Sequence, residues 1–282
     1  MPDVRILAIR ICCALVMTLA ASHAAGQIAS VDARGKNRPW EIVDNSFLVE
    51  EAFNQERGIF QNIFTWTLQR AGEWEGSFTQ EWPVPGKKHQ LSYTIPFSGG
   101  NAADGIGNLL VNYRYQLLDE GPGRPAIAPR VSAIVPSGDA DSGGGNNPLG
   151  LQVNVPASKQ FGDLYVHANA GATWLPRVES AVSGSRVSLV SPHVGGSVVW
   201  RIAPMLNAMF ESVAEFEQSL DANGRVIRER TVTASPGVRG GWNIGQHQII
   251  VGAAVPVSRT NGESRVALLT YFSYELPFRE QD

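Results

Sequence analysis

The sequence predicts an all-β fold, in particular a transmembrane antiparallel β-barrel of about twelve strands. Three observations predict it. Apolar and polar residues alternate over long stretches, these stretches exceed the usual strand length, and the connections between them alternate in size. We expect strands at 59–70, 73–82, 88–97, 107–118, 125–136, 148–158, 163–175, 187–201, 204–218, 229–243, 246–258 and 264–278.

The alternation places apolar side chains on one face of each stretch. Between residues 109 and 114, Leu109, Val111 and Tyr113 share one face, whereas Asn112 and Arg114 share the other. A transmembrane barrel needs this pattern because lipid surrounds its wall while its interior is polar. A soluble β-sandwich also alternates, with its apolar face inside, so alternation alone leaves both folds open.

The length of the stretches and the size of the connections favour the membrane barrel. Strands of soluble proteins usually have about five or six residues, whereas strands that cross a bilayer at a tilt need about nine to eleven. Outer-membrane barrels also have short periplasmic turns and longer outer loops. Apart from the first hairpin at 71–72, we expect short turns near 83–88, 117–124, 158–163, 201–205 and 243–246, and longer outer loops near 98–107, 136–148, 177–186, 219–230 and 258–264.

Charged side chains on the polar faces are the candidate functional residues. A Lys or Arg on the lipid face costs about 2–4 kcal/mol at the bilayer midplane, so inward positions are favoured for charges. Such residues either line a solute path and set its selectivity, or pair with one another and stiffen the wall. In an open pore we expect Arg239→Ala and Glu211→Ala to change the ion selectivity. The candidate lumen-lining residues are Arg114, Arg130, His167, Glu211, Glu215, Arg239 and Glu275.

Residues 1–24 have the layout of a secretory signal peptide. Two arginines precede an apolar run at 11–21, and small residues follow it. We expect cleavage after Ala24, with a cut after Gly26 as an alternative and an uncleaved amphipathic helix as the other interpretation. Both cysteines, Cys12 and Cys13, fall in this segment, so the mature chain is expected to form no disulfide and to offer no thiol nucleophile.

Residues 25–58 form a polar segment between the signal and the first strand of the barrel domain, 59–282. A short helix from about Ser46 to Gln55 is expected, because Ser46 can cap it and Glu50 lies near its positive end. This segment either plugs the lumen or reaches a periplasmic partner, or it is a tether packed under the barrel.

Few features of the sequence indicate enzymatic or metal chemistry. No nucleophile elbow, phosphate loop or zinc-protease motif occurs, so we expect no catalytic residue and no cofactor. A net charge of −3 argues against a nucleic-acid partner. The stretch PSGDADSGGGNN resembles a calcium loop only in composition, and an outer loop is the simpler interpretation. The histidines that follow the signal have no metal-ligand spacing; they are His89, His167, His193 and His247.

A family resemblance rests on four stretches of the chain. FLVEEAFNQERGIFQNIF, SFTQEWPVPGKKHQLSYTIPF, GIGNLLVNYRYQLLDE and APRVSAIVPSGD resemble outer-membrane proteins grouped with the meta-pathway of phenol degradation and often labelled transporters. The similarity spans about residues 47–278, and its motifs are structural. It implies a location in the outer membrane of a Gram-negative bacterium and passage of hydrophobic or aromatic compounds. It transfers no catalytic residue to this sequence.

The sequence therefore predicts an outer-membrane channel that passes small solutes, with hydrophobic or aromatic ones implied by the resemblance. The alternatives are a non-conducting structural or interaction barrel and a lipid-active barrel enzyme with a Ser–His pair on its strands. The expected partners are outer-membrane lipid, a small-molecule solute and the barrel-assembly machinery. Because four residues follow Phe278, the aromatic assembly signal is recognisable but not terminal.

Overall fold

The described part of the chain forms a closed antiparallel β-barrel. The computed structural model describes residues 42, 44–70, 72–100, 104–138, 148–180, 182–221, 223–245 and 247–278. The first strand pairs with the last, so the sheet closes on itself. The strands are β1 (Ile59–Gln69), β2 (Trp74–Pro83), β3 (His89–Gly99), β4 (Gly105–Ile106), β5 (Leu109–Tyr115), β6 (Ala126–Ile127), β7 (Arg130–Val135), β8 (Gly150–Phe161), β9 (Leu164–Glu179), β10 (Arg186–Ala203), β11 (Leu206–Leu220), β12 (Val226–Ile244), β13 (His247–Ala254), β14 (Val257–Thr260) and β15 (Glu263–Pro277).

Twelve strands make up the wall, because three of them are interrupted. The pairs β4 and β5, β6 and β7, and β13 and β14 each form one barrel strand. Pro129 lies in the second interruption and Pro256 in the third, which is expected of a residue that has no amide donor. The all-β class, the antiparallel pairing and the strand number predicted from the sequence are confirmed. The predicted signal peptide lies outside the described residues.

Four consecutive strands are longer than a bilayer requires. β9, β10, β11 and β12 have 16, 18, 15 and 19 residues. About nine to eleven residues suffice to cross a bilayer, so these strands extend beyond it. The outer loop expected at 219–230 is correspondingly shorter, because the pairing of β11 with β12 continues to Leu220 and Val226. Asp221 closes this hairpin by accepting a hydrogen bond at 2.8 Å from the amide of Arg225.

The two faces of the wall have opposite character. The outer face is apolar, and aromatic rings stack on it near both ends: Phe60 with Phe278 at 4.3 Å and Trp66 with Trp74 at 4.4 Å between ring centroids. The other face is polar and largely buried. Exposed apolar side chains of the outer face include Phe64, Val111, Val131, Val153, Val194, Phe210, Val238 and Phe272.

A closed barrel with an apolar outer surface satisfies every requirement of a membrane-spanning β-protein. Each strand finds its hydrogen-bond partners within the wall, and the side chains that face outward are compatible with hydrocarbon. The chain is therefore a barrel of the Gram-negative outer membrane, as predicted. Within the described ranges, no helix is long and apolar enough to cross a membrane.

Candidate functional site: the occupied barrel interior

Residues 44–55, here called the inner segment, lie inside the barrel. Their partners come from strands around the whole ring, and only a segment within the ring can reach all of them. These partners are Gln61 on β1, Gln90 on β3, Arg114 on β5, Arg130 on β7, Ser158 on β8, Asn169 on β9, Ser197 on β10, Glu211 on β11, Arg239 on β12 and Tyr271 on β15.

Glu211 holds the middle of the inner segment. Its carboxylate oxygens accept hydrogen bonds from the backbone amides of Phe47, Leu48 and Val49 at 3.2, 2.8 and 3.1 Å. Glu211 is fully buried. A buried carboxylate is costly unless it is hydrogen-bonded, and three amide donors compensate for that cost. The loss of Glu211 would leave these three amides without their acceptor.

The helix predicted from Ser46 to Gln55 is wrong. No residue of this range is helical. The backbone amides that would bond to carbonyls one turn earlier are instead bound by side chains of the wall and of the turn that follows β5. The amide of Ala52 donates to Ser158, that of Asn54 to Gln116 and that of Gln55 to Gln90, at 2.7, 3.1 and 2.6 Å. Tertiary hydrogen bonds thus replace the local ones that a helix would make.

Two arginines of the wall bind carbonyl oxygens of the inner segment. Arg239 donates from Nη1 to the carbonyls of Asp44 and Asn45 at 2.9 and 2.6 Å. Arg114 donates to the carbonyls of Glu51 and Phe53. Both arginines are almost fully buried. Because a guanidinium carries five N–H donors in a rigid plane, each can hold two carbonyls of an extended backbone at once.

Glu50 forms the principal ion pair between the inner segment and the wall. Arg130 contacts both of its carboxylate oxygens, with Nε at 3.0 Å from each and Nη2 at 2.6 Å from Oε1. Burial acts to raise the pKa of Glu50, but the positive charge and the hydrogen bonds of Arg130 outweigh it and lower the pKa. The side chain of Asn169 also binds the backbone of Glu50. It accepts a hydrogen bond from the Glu50 amide and donates one to the Glu50 carbonyl, at 2.8 Å each.

Asp44 anchors the start of the inner segment between β1 and β15. Its carboxylate accepts hydrogen bonds from Gln61 at 2.7 Å and from the Tyr271 hydroxyl at 2.8 Å. Burial raises the pKa of Asp44, although Arg239 and these donors favour the charged form. The bound segment therefore holds its Glu50 proton less tightly, and its Asp44 proton more tightly, than free chain does. The two carboxyl groups oppose each other in any pH dependence of the segment's binding.

Glycines in the wall make room for apolar side chains of the inner segment. A Cβ atom at Gly252 would lie 2.3 Å from Cζ of Phe47, and one at Gly237 would lie 3.1 Å from Cε2 of the same ring. The other side of Phe47 packs on Tyr271, with 5.0 Å between ring centroids. Gly195 approaches Val49 in the same way, at 3.3 Å. The inner face is thus shaped to the apolar side chains of the segment as well as to its backbone.

Two hydroxyl groups of the wall complete the anchoring. Ser197 Oγ lies 2.7 Å from Ser46 Oγ. Ser158 Oγ lies 2.7 Å from His167 Nδ1 and also accepts the amide of Ala52. Both members of this Ser–His pair are buried. Because the Ser158 oxygen already serves the inner segment, the geometry favours an anchoring role for the pair over a nucleophilic one.

Above the inner segment, the described residues border two cavities in the lumen, of about 250 Å³ and about 180 Å³. The larger is bordered by a row of hydroxyl side chains, in which Thr65 bonds to Ser77 at 2.8 Å and Thr79 bonds to Thr94 at 2.9 Å. The smaller includes Glu215. Leu48, Val49 and Glu50 form part of the lining of both.

The candidate residues named from the sequence divide into three groups. Five bind the inner segment directly: Arg114, Arg130, Glu211, Arg239 and Glu275, the last by accepting a hydrogen bond from Gln55 at 3.3 Å. His167 acts indirectly, through its hydrogen bond to Ser158. Glu215 lies apart from them, in the smaller cavity.

Six neutral polar residues that bind the inner segment were not predicted from the sequence. They share the inward parity of the charged candidates, so the same alternation could have identified them. The candidates were chosen by the cost of placing a charge on the lipid face, and this criterion does not select neutral amides and hydroxyls. These residues are Gln61, Gln90, Gln116, Ser158, Asn169 and Ser197.

Among the residues that the structure describes, no group of three or more His, Cys, Asp or Glu side chains could hold a metal ion. His193 lies 3.3 Å from Asn154 Oδ1, and His89 and His247 each bond to a tyrosine hydroxyl, at 2.7 and 2.9 Å. The histidines therefore take part in separate hydrogen bonds and are not gathered at one centre.

Solved structures with the same architecture are outer-membrane barrels. An outer membrane channel from Pseudomonas putida F1 superimposes with a TM-score of 0.63 and 12% sequence identity, over 79% of this chain and 97% of that one. The NanC porin aligns with a TM-score of 0.48 at 9% identity, over 76% and 100% of the two chains. The KdgM porin aligns with a TM-score of 0.49 at 11% identity, over 75% and 98%. At such low identity the first similarity shows the fold, and the other two add no argument.

No protein-family model matches the sequence, and no curated protein matches it. The barrel, its apolar exterior and the similarity of fold define the class: a twelve-stranded outer-membrane β-barrel. In this chain, an N-terminal segment is bound in the lumen by side chains from strands around the whole wall.

Proposed function

We propose that this protein is an outer-membrane channel for small solutes whose lumen is closed by the inner segment. The observation that carries the proposal is the combination of a separate, hydrogen-bonded segment in the lower lumen with cavities directly above it. A wall that served only as a scaffold would not require an interior shaped to a separate segment. The structurally similar Pseudomonas protein is itself named an outer membrane channel.

The size of the upper cavity suggests the size of the solute. A cavity of about 150 Å³ holds a benzene-sized molecule, and the larger cavity here has about 250 Å³. Its lining combines apolar side chains such as Phe47, Ile63 and Leu110 with hydroxyl groups and with the charged groups of Glu50, Glu81 and Arg130. We propose single-ring compounds as solutes, consistent with the hydrophobic or aromatic cargo implied by the family resemblance. The seven charged candidates then act mainly by holding the segment and by lining the path once it is displaced.

Two other functions have less support from the structure of the barrel interior. A non-conducting interaction barrel is favoured by the number of bonds that hold the inner segment. For a lipid-active enzyme, the described residues offer the pair Ser158 and His167, but the inner segment covers this pair within the barrel, away from lipid. We therefore propose no catalytic role, and we expect outer-membrane lipid and the barrel-assembly machinery as partners of the barrel.

Swelling of proteoliposomes tests this function. Liposomes containing the folded mature protein should swell in isotonic sodium benzoate faster than protein-free liposomes, because the closed protein still populates a minor open conformation at about 0.1–10% and a single-ring anion fits the cavity above the segment. They should not swell faster in raffinose, whose three rings exceed it. Absence of any protein-dependent swelling, from protein that retains strand-rich circular dichroism, would favour the non-conducting barrel instead.

A further inference from the structure

Three arginines lie together on the outer face of the wall, at the end where β11, β12 and β14 rise above the membrane. Arg228 and Arg230 are two residues apart on β12 and therefore share a face. Val232, on the same face, pairs with Arg259 of β14, which places Arg259 diagonally beside Arg230. All three side chains are exposed. We call Arg228, Arg230 and Arg259 the outer arginine cluster.

The direction of the cluster follows from its neighbours. On β12 the intervening threonines face inward, where Thr231 bonds to Thr260 at 2.7 Å and Thr233 bonds to Ser258 at 2.8 Å. The even-numbered positions therefore face outward. Arg230 pairs with Phe216, an outward-facing ring that is 42% exposed, and its guanidinium lies 5.8 Å from the ring centroid.

The height of the cluster places it at the edge of the apolar band. Immediately below it, Val257 and Val266 pair with each other and are 41% and 46% exposed, as expected at the upper limit of the hydrocarbon. Counting about eleven residues upward from Trp242, near the periplasmic end of β12, also reaches Val232. The arginines thus begin where hydrocarbon gives way to lipid headgroups.

Alternation separates the neighbouring carboxylates from the cluster. Glu217 and Glu229 pair with each other at odd-numbered positions, which face inward on these strands. Glu263 pairs with Thr260, whose hydroxyl also faces inward. The outward side of this strand group therefore presents cations above an apolar surface, and the inward side presents the acidic residues.

We propose that the outer arginine cluster binds the phosphate groups of anionic lipid in the outer leaflet. Guanidinium groups bind phosphate oxygens in bidentate fashion. The spacing is about 7 Å along a strand and about 7–8 Å across the diagonal, so two guanidinium groups can reach one phosphate. Phe216 and the valines below it would contact the acyl chains of the same lipid. The proposed partner is therefore an amphiphile with a phosphorylated headgroup in the outer leaflet. We take it to be phosphorylated lipopolysaccharide.

Binding of fluorescent lipopolysaccharide to the detergent-solubilised full-length barrel tests this proposal. The variant with Arg228→Gln, Arg230→Gln and Arg259→Gln should bind about tenfold to a hundredfold more weakly, since each basic residue near an anionic membrane surface contributes measurably. Unchanged affinity would overturn the proposal. Competition by inorganic phosphate at concentrations close to those of the lipid would identify a free-anion site and overturn the lipid assignment.

A matched pair of single variants distinguishes lipid binding by the outward-facing cluster from lipid binding by net positive charge. Arg259 and Arg265 lie one register step apart on adjacent strands, since Ser258 pairs with Arg265 and Arg259 with Ser264. Both are exposed, but they face opposite sides of the wall. Arg259→Gln should weaken binding, whereas Arg265→Gln, which removes the same charge, should not. Equal losses in both variants would mean that net charge, and not the cluster, attracts the lipid.

Discussion

Replacing residues 44–55 with an equal number of glycine and serine residues should open the barrel to ions. The replacement keeps the chain length and the wall intact, but it removes the carboxylates of Asp44 and Glu50 and the ring of Phe47 that dock the inner segment. A chain without these groups has no reason to stay ordered in the lumen, because its conformational entropy opposes docking. A twelve-stranded wall is wider than an eight-stranded one, whose side chains fill its interior.

Single-channel recording in planar bilayers measures this effect. A closed-state protein commonly populates its minor conformation at about 0.1–10%, so the time-averaged conductance of the replaced variant should rise at least about tenfold. The variant must still migrate as a folded barrel on a semi-native gel. A folded variant with the conductance of the native protein would mean that the wall itself, and not the segment, closes the lumen.

Glu211→Gln should raise the open probability of the channel without removing any segment. The substitution removes the charge from the side chain that binds three backbone amides, and an NH₂ donor replaces one of its two acceptor oxygens, of which Oε1 binds Leu48 and Val49 and Oε2 binds Phe47. Hydrogen bonds to charged groups contribute about 1.5–3 kcal/mol each, and these three are not independent, so a net loss of about 2–3 kcal/mol is reasonable. That loss corresponds to a roughly 30- to 150-fold larger equilibrium constant for opening.

Glu215→Gln provides the matched control for this substitution. Glu215 is four residues further along the same strand, at a position of the same parity, and lines the smaller cavity. The variant removes an identical charge from the same side of β11. We expect its open probability to match that of the native protein, with a change confined to the ion selectivity of open channels. Equal opening in both variants would contradict a specific role of Glu211 and would indicate a general electrostatic effect of charges in the lumen.

Most of the wall could be predicted from the sequence because the rules that build it are local. Alternation with a period of two, strand lengths near those that cross a bilayer and turn residues at regular intervals are all properties of neighbouring residues. The outer ends of β9 to β12 extend one to four residues further than predicted, because these ends are paired but polar, as in Arg228 and Glu229. Polar hairpin ends look like loops when only hydropathy is considered.

The state of the inner segment could not be predicted in the same way. Ser46 and Glu50 have the local pattern of a helix start, yet their partners are Ser197 and Arg130 on distant strands. Such contacts depend on which strands lie opposite the segment in the closed ring. The local residue pattern of a single sequence does not show this arrangement. A partial signal was present in glycines such as Gly252, because a glycine inside a strand often marks a close approach of another group.

The most direct test of the central claim is a disulfide between the inner segment and the wall. The Oγ atoms of Ser46 and Ser197 are 2.7 Å apart, so rotation of the two side chains can bring Sγ atoms at these positions to the about 2.05 Å of a disulfide bond. The chain's own cysteines, Cys12 and Cys13, lie in the predicted signal peptide and should not interfere. We expect the oxidised variant carrying Ser46→Cys and Ser197→Cys to show no openings in a planar bilayer, and a reductant to restore native openings. The Ser46→Cys single variant should respond to neither treatment. Native conductance from protein whose cross-link is verified by mass spectrometry would contradict the account, because the lumen would then conduct with the inner segment fixed in place.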